Sequence, residues 1–151
     1  MTGELSGWWR RAAAWVIDTV IVALVVGGAL WLFGWDYTDY LFDDDAPLVM
    51  TAADDLGFVL ADAAVACAYY TPLMLRWGGR SLGKAALGIR VVRPDGQPLR
   101  AWQVVVRQTV IQYVVWGVFP LASIADYLWP LGDRQRRALH DLAVDTRVVR
   151  T

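Results

Sequence analysis

From Ala12 to Trp35 the chain is apolar apart from Asp18 and Thr19, and no other feature limits its fold so strongly. At about 1.5 Å per helical residue, such a run crosses a hydrocarbon core of about 30 Å. Signal-peptide cores span roughly 7 to 15 residues. This run, although preceded by Arg10 and Arg11, continues well past that length with no small-residue cleavage site early on, and therefore reads as a membrane span. Two further apolar regions follow, Leu56 to Trp77 and Trp102 to Leu131, the latter free of charge from Gln108 to Ala125. Nine Trp residues, among them Trp8, Trp9, Trp31, Trp35 and Trp77 near the ends of the runs, match the amphipathic rings that favour a bilayer interface.

The sequence thus predicts an all-α membrane protein forming one domain over residues 1–151. Two full transmembrane helices, about 12–35 and 56–77, are expected to be followed by a third apolar region, 102–131, that Gly117 and Pro120 break into a helical hairpin; three plain spans are the alternative. Between them lie an acidic loop at 36–55, with Asp43, Asp44 and Asp45 in a row, a basic connector at 78–101 and a charged tail at 132–151. Basic residues favour the cytoplasmic side, which predicts a multi-pass protein of the inner (cytoplasmic) membrane with N-terminus, connector and tail inside and the acidic loop outside. Ile89 to Val92 and Thr146 to Val149 have strand propensity, and their pairing as a small β element at the cytoplasmic surface is a further expectation.

Charge inside an apolar helix is the most informative chemistry. An aspartate near a span's centre costs on the order of 2.5 to 3.5 kcal/mol and needs a partner or water. Asp18 lies about two turns into the first run, with Arg11 seven residues earlier on the same face. Two roles are open: an ion pair that fixes packing, for instance with Arg107, or a cation or proton site. Asp62 and Asp126 read as hydrated groups near interfaces, and Tyr69, Tyr70, Gln108 and Gln112 as a polar seam between helices.

In the connector, Gly78 to Lys84 mimics the first part of a phosphate-binding loop. Ala85 stands where a metal-binding hydroxyl would be needed, and a membrane helix, not a strand, precedes it, so nucleotide binding is not expected. Arg80, Lys84 and Arg90 are candidates for anionic lipid headgroups, or simply for a solvated loop. His140 alone cannot build a histidine-rich metal cluster, and no ordered nucleophile surrounds it; a surface hydrogen bond or proton sensing is its range. Cys67 reads as a packed small hydrophobe. No enzyme chemistry, cofactor or nucleic-acid partner is expected; the bilayer is the expected partner.

Several elements occur in an ordered pattern: Arg11 to Asp18 in Arg-Ala-Ala-Ala-Trp-Val-Ile-Asp, then Ser81-Leu-Gly-Lys-Ala-Ala-Leu-Gly-Ile-Arg-Val-Val92 with Asp95-Gly96, then Arg107, and Leu139-His-Asp141 before Thr146. From Trp8 to Val149 this resembles the RDD family of bacterial integral membrane proteins. The resemblance implies that Arg11, Asp18 and Asp141 are the arginine and two aspartates of the family's name. It also implies a functional charge cluster of Arg11, Asp18, Arg107, His140 and Asp141. Transport of an unidentified ligand, or cation/proton exchange, is what the resemblance suggests; a membrane scaffold or interaction module with a basic, lipid-facing cytoplasmic surface is the alternative. So few spans acting in transport imply a homo-oligomer or other membrane-protein partners, for which Gly27 and Gly28 offer small-residue surface. One departure stands out, Val144-Asp145-Thr146 where the family tends to have Ala-Gly-Thr.

Overall fold

A computed structural model describes residues 4–32, 56–115 and 119–151. It is mostly helical. Helix α1 runs Trp8–Leu32, α2 Leu56–Arg76, and the short α3 Leu82–Ala86. Strand β1, Ile89–Val92, precedes α4, Ala101–Val105, which continues as a wide π-type helix over Val106–Val115. Helix α5, Pro120–Leu128, runs into a 3-10 turn at Trp129–Leu131, followed by α6, Leu139–Ala143, and β2, Arg147–Arg150. The acidic loop expected at 36–55, Trp35 and Gly117 lie outside the described residues.

Helix α1 has two faces. Ala14, Asp18 and Val22, spaced four apart, point inward and are buried. Trp9, Val16, Val20, Leu24 and Trp31 share the opposite side, and each is at least half exposed. Trp8–Ala29 has a mean hydropathy of 2.0 with only 17% of it buried, so its apolar surface is turned outward, unlike the core helix of a water-soluble domain. Among the described residues it is the one helix long and apolar enough to cross a membrane. Helix α2 presents Ala63, Ala66, Tyr70 and Met74 inward, again at helical spacing, and carries Pro72 within it. These side chains join Ile89, Val91, Val104 and Val148 in one buried cluster.

The strands form the small sheet expected, antiparallel, with Ile89 opposite Arg150 and Val92 opposite Arg147. The second strand lies one residue later than Thr146 to Val149, because Thr146 closes the end of α6. Its N–H reaches the Asp141 carbonyl at 2.9 Å while Asp145 N–H reaches Leu142, a Schellman arrangement with Asp145 in the left-handed region at φ 49°. The departure from Ala-Gly-Thr therefore keeps the turn: aspartate is among the few side chains tolerated where glycine is easiest. Residues 4–6 add to the other edge of β2 through Ser6 N–H to Val148 and Arg150 N–H to Glu4.

The first half of the connector is packed, while residues 94–98 after β1 are exposed. Gly79 packs against β1, Ser81 is fully buried, and α3 lies on α1 near Ala14 and Asp18. Helix α1 thus begins a few residues earlier than Ala12, and α2 ends at Arg76, close to its expected limit. Gly28 meets nothing within 4 Å, so packing within the described chain makes no use of it.

Two substitutions test the turns. At Gly79, where φ is 89°, an added Cβ would lie 1.9 Å from the Val91 carbonyl oxygen. Gly79→Ala should cost at least about 2 kcal/mol and lower the thermal midpoint in detergent. Asp145→Gly should shift it by no more than about 1 kcal/mol, toward greater stability, because it relieves a left-handed residue at an exposed site.

Candidate functional site

Three carboxylates, Asp18, Asp126 and Asp141, are fully buried, and each is met by hydrogen-bond donors of another segment. Burying a charge without compensation is costly enough that such groups must be paired and hydrogen-bonded.

Asp18 accepts four donors: Tyr69 O–H at 2.9 Å, Ser81 O–H at 2.5 Å, Gly83 N–H at 2.8 Å and Lys84 Nζ at 3.2 Å. Lys84 also donates to Ser81 at 3.1 Å and stands 5.3 Å from the centre of the Tyr70 ring. Only a residue without Cβ permits this seat. A Cβ on Gly83 would fall 2.3 Å from the Ala14 carbonyl oxygen and 3.0 Å from the Asp18 carboxylate. The cation of Asp18 is therefore Lys84, neither Arg11 nor Arg107. Lys84 is also no lipid-headgroup ligand, since its side chain is buried against α1. Burial pushes its ammonium below the usual lysine range, with Asp18 pulling it back up.

Asp141 is the second centre. Arg107 holds Oδ1 through Nε at 3.0 Å and Nη2 at 2.7 Å, and Arg11 Nη1 holds Oδ2 at 3.0 Å. Ala138 N–H also reaches Oδ2, so the same carboxylate caps α6 at its third position. Burial works against ionisation here, but Arg107, His140 and Arg11 outweigh it and hold the carboxyl well below the usual range. Arg11 also reaches the Val148 carbonyl at 3.3 Å, and Arg107 bonds Gln108, which bonds Gln112 at 2.9 Å.

Asp126 is the third. It accepts His140 N–H at 2.8 Å, and its other oxygen lies 2.7 Å from Nδ1 of the same residue. His140 Nε2 is 3.7 Å from Asp141, so the imidazole stands between two carboxylates, and it is not the surface group expected. Asp126 is likewise not a hydrated interfacial residue.

The five residues expected to cluster are thus divided. Arg11, Arg107, His140 and Asp141 come together, Asp18 belongs to a second centre with Lys84, and between them lies a cavity of about 50 Å³ whose wall is mostly apolar, with Trp8, Trp15, Ile89 and Val148 on one part and polar side chains on the rest. Arg11, Lys84, Arg107, Gln108, Gln112 and His140 line it, and it has room for about one or two waters. Arg80 and Arg90 remain partly buried in the connector. Sequence reasoning missed Asp126 and the Ser81–Gly83–Lys84 seat as partners in this site. The signals were an acid following an uncharged stretch and a serine, glycine and lysine spaced to face one carboxylate. Among the described residues no group of three or more His, Cys, Asp and Glu side chains gathers as a metal site.

The model of the RDD family matches residues 5–145. The chain is also similar to the uncharacterized protein YckC of Bacillus subtilis (strain 168), with 28% identity over 144 residues, covering 95% of this chain and 83% of that protein. No solved structure matches it significantly.

Removing one partner of a buried ion pair strands the other. Arg107→Gln should therefore destabilise the protein by about 3 to 5 kcal/mol in chemical denaturation. Asp141 is ionised more readily folded than unfolded, so its contribution is present above the usual carboxylate range and lost as pH falls through and below it. Acid unfolding followed by circular dichroism should show a shallower decline for Asp141→Asn than for the unaltered chain, from a lower starting stability.

Proposed function

The chain belongs to the RDD family, and from that premise we propose that this membrane protein exchanges a monovalent cation for a proton at Asp18, with Lys84 as a tethered cation that gives up its place. The pairing of a buried carboxylate with a lysine carries this reading. Arginine cannot release its proton in a protein, whereas a buried lysine can. A cation arriving at Asp18 would meet the carboxylate and the hydroxyl oxygens of Ser81 and Tyr69, an all-oxygen set suited to alkali cations more than to transition metals. Lys84 would lose one proton and turn its neutral amine toward Gln108 and Gln112 in the small, mostly apolar cavity it already lines. One positive charge replaces another, so the net charge of the site does not change.

The two ends of the apolar region 102–131 support the hairpin over a third plain span. Arg107 near its start and Asp126 near its end both reach α6, through Asp141 and His140. In this reading two spans and the hairpin sit in the cytoplasmic membrane with N-terminus, connector and tail inside, and transport takes an assembly of several copies or a partner membrane protein.

A second reading, a non-catalytic membrane module, is favoured by a specific observation: all four donors already saturate Asp18, as in a structural latch. Reconstitution separates the two. In proteoliposomes carrying a sodium or potassium gradient, the unaltered chain should drive proton movement that Asp18→Asn abolishes. Lys84→Arg, which keeps the charge but cannot deprotonate, should cut flux at least ten-fold while the protein remains folded. Flux unchanged in Lys84→Arg overturns the exchange role, and absence of cation-dependent flux in the unaltered chain favours the latch.

A further inference from the structure

We propose that a groove at the start of α1 binds the headgroup of an anionic phospholipid. The groove, of about 650 Å³, is lined by Trp9 and Arg10 of α1, Arg134 and Arg136 of the loop before α6, and Arg150 of β2, with one carboxylate, Glu4, among them. It lies apart from the Asp18 and Asp141 centres, and its case rests on this being a membrane protein, not on ion exchange.

The arginines are placed there by identifiable contacts. In the loop, Asp133 accepts the N–H groups of Gln135 at 3.1 Å and Arg137 at 2.8 Å, and the Arg137 guanidinium at 3.2 Å. Arg137 is thereby neutralised. Arg134 and Arg136 are left exposed, and neither they nor Arg10 have a carboxylate partner among the described residues. Arg150 pairs with Glu4 at 2.9 Å, a contact open to solvent and therefore weak. Three unpaired guanidiniums converging on one depression suit a phosphate diester, which they can meet with paired N–H donors.

The neighbourhood argues for a lipid over a free phosphate. Trp9 at the rim is 78% exposed, and from it Val16, Val20 and Leu24 continue along the same side of α1 at helical spacing, all exposed. A headgroup in the groove would lay its acyl chains on this stripe, with the Trp9 ring at the polar–apolar boundary where such rings settle. Basic residues at this level also attract anionic lipid. The assignment moves the lipid contact from Lys84, which is committed to Asp18, to the opposite flank of the connector sheet.

Native mass spectrometry of the full chain in detergent, titrated with phosphatidylglycerol or phosphatidylcholine, tests this. At least ten-fold stronger retention of phosphatidylglycerol is expected, falling to parity in Arg10→Gln/Arg134→Gln/Arg136→Gln and persisting in the control Arg93→Gln/Arg100→Gln. Glycerol 3-phosphate at millimolar concentration should not displace the lipid. Equal retention of the two lipids by the unaltered chain, an undiminished preference in the triple variant, or displacement by glycerol 3-phosphate would each overturn the assignment. Should the triple variant fail to fold, the lipid comparison and the competition on the unaltered chain still decide it.

Discussion

A carboxylate taken out of water has to be answered by donors and a cation, and that requirement organises this molecule. Asp18 is answered by α2 and the connector, Asp141 by α1 and the start of the π-type helix, and Asp126 by α6. The Asp18 and Asp141 pairings join segments far apart in the chain, and the Asp126 pairing closes a loop of 14 residues. The buried residues of α1 and α2 include small ones, Ala14, Ala63 and Ala66, which carry little orientation of their own. Polar contacts, which fix distance and direction, therefore have the larger part in choosing the arrangement.

The three centres differ in what they can do. Asp141 sits between two arginines that stay charged at any relevant pH and also caps a helix, which makes it a fixed anchor. The Asp126 and Asp18 carboxylates face other groups, the His140 imidazole and the Lys84 amine. A small, mostly apolar cavity bordered by Lys84, Arg107 and His140 lies between the fixed anchor and the other two pairs. The anchored Asp141 fits the proposed exchange at Asp18 and equally a module that only holds its connector in place.

Much of this could be read in the chain beforehand, and the failures have a common cause. The first two helices, a break before Pro120 in the third apolar region and the strand propensity of Ile89 to Val92 and of the tail all follow from local pattern. Arg11 and Asp141 were singled out through the resemblance, and Arg107 and His140 with them. Lys84 and Asp126 were misread, as lipid contact and interfacial carboxylate. A lysine in a basic, glycine-containing connector looks solvated, and an acid near the end of an apolar run looks hydrated, until the tertiary fold supplies a buried partner.

By itself, the amino-acid order determined that long apolar helices form, where they stop, and that any charge within them is costly, because hydropathy, helix geometry and turn chemistry act over a few residues. Which cation answers which carboxylate was decided only by the folded chain. Arg11 lies on the same face as Asp18 yet bonds Asp141, 130 positions away, while Asp18 takes Lys84 because Gly83 lets the connector lie directly against α1. Helical spacing says which way a side chain points; the close approach of a second segment says what it meets.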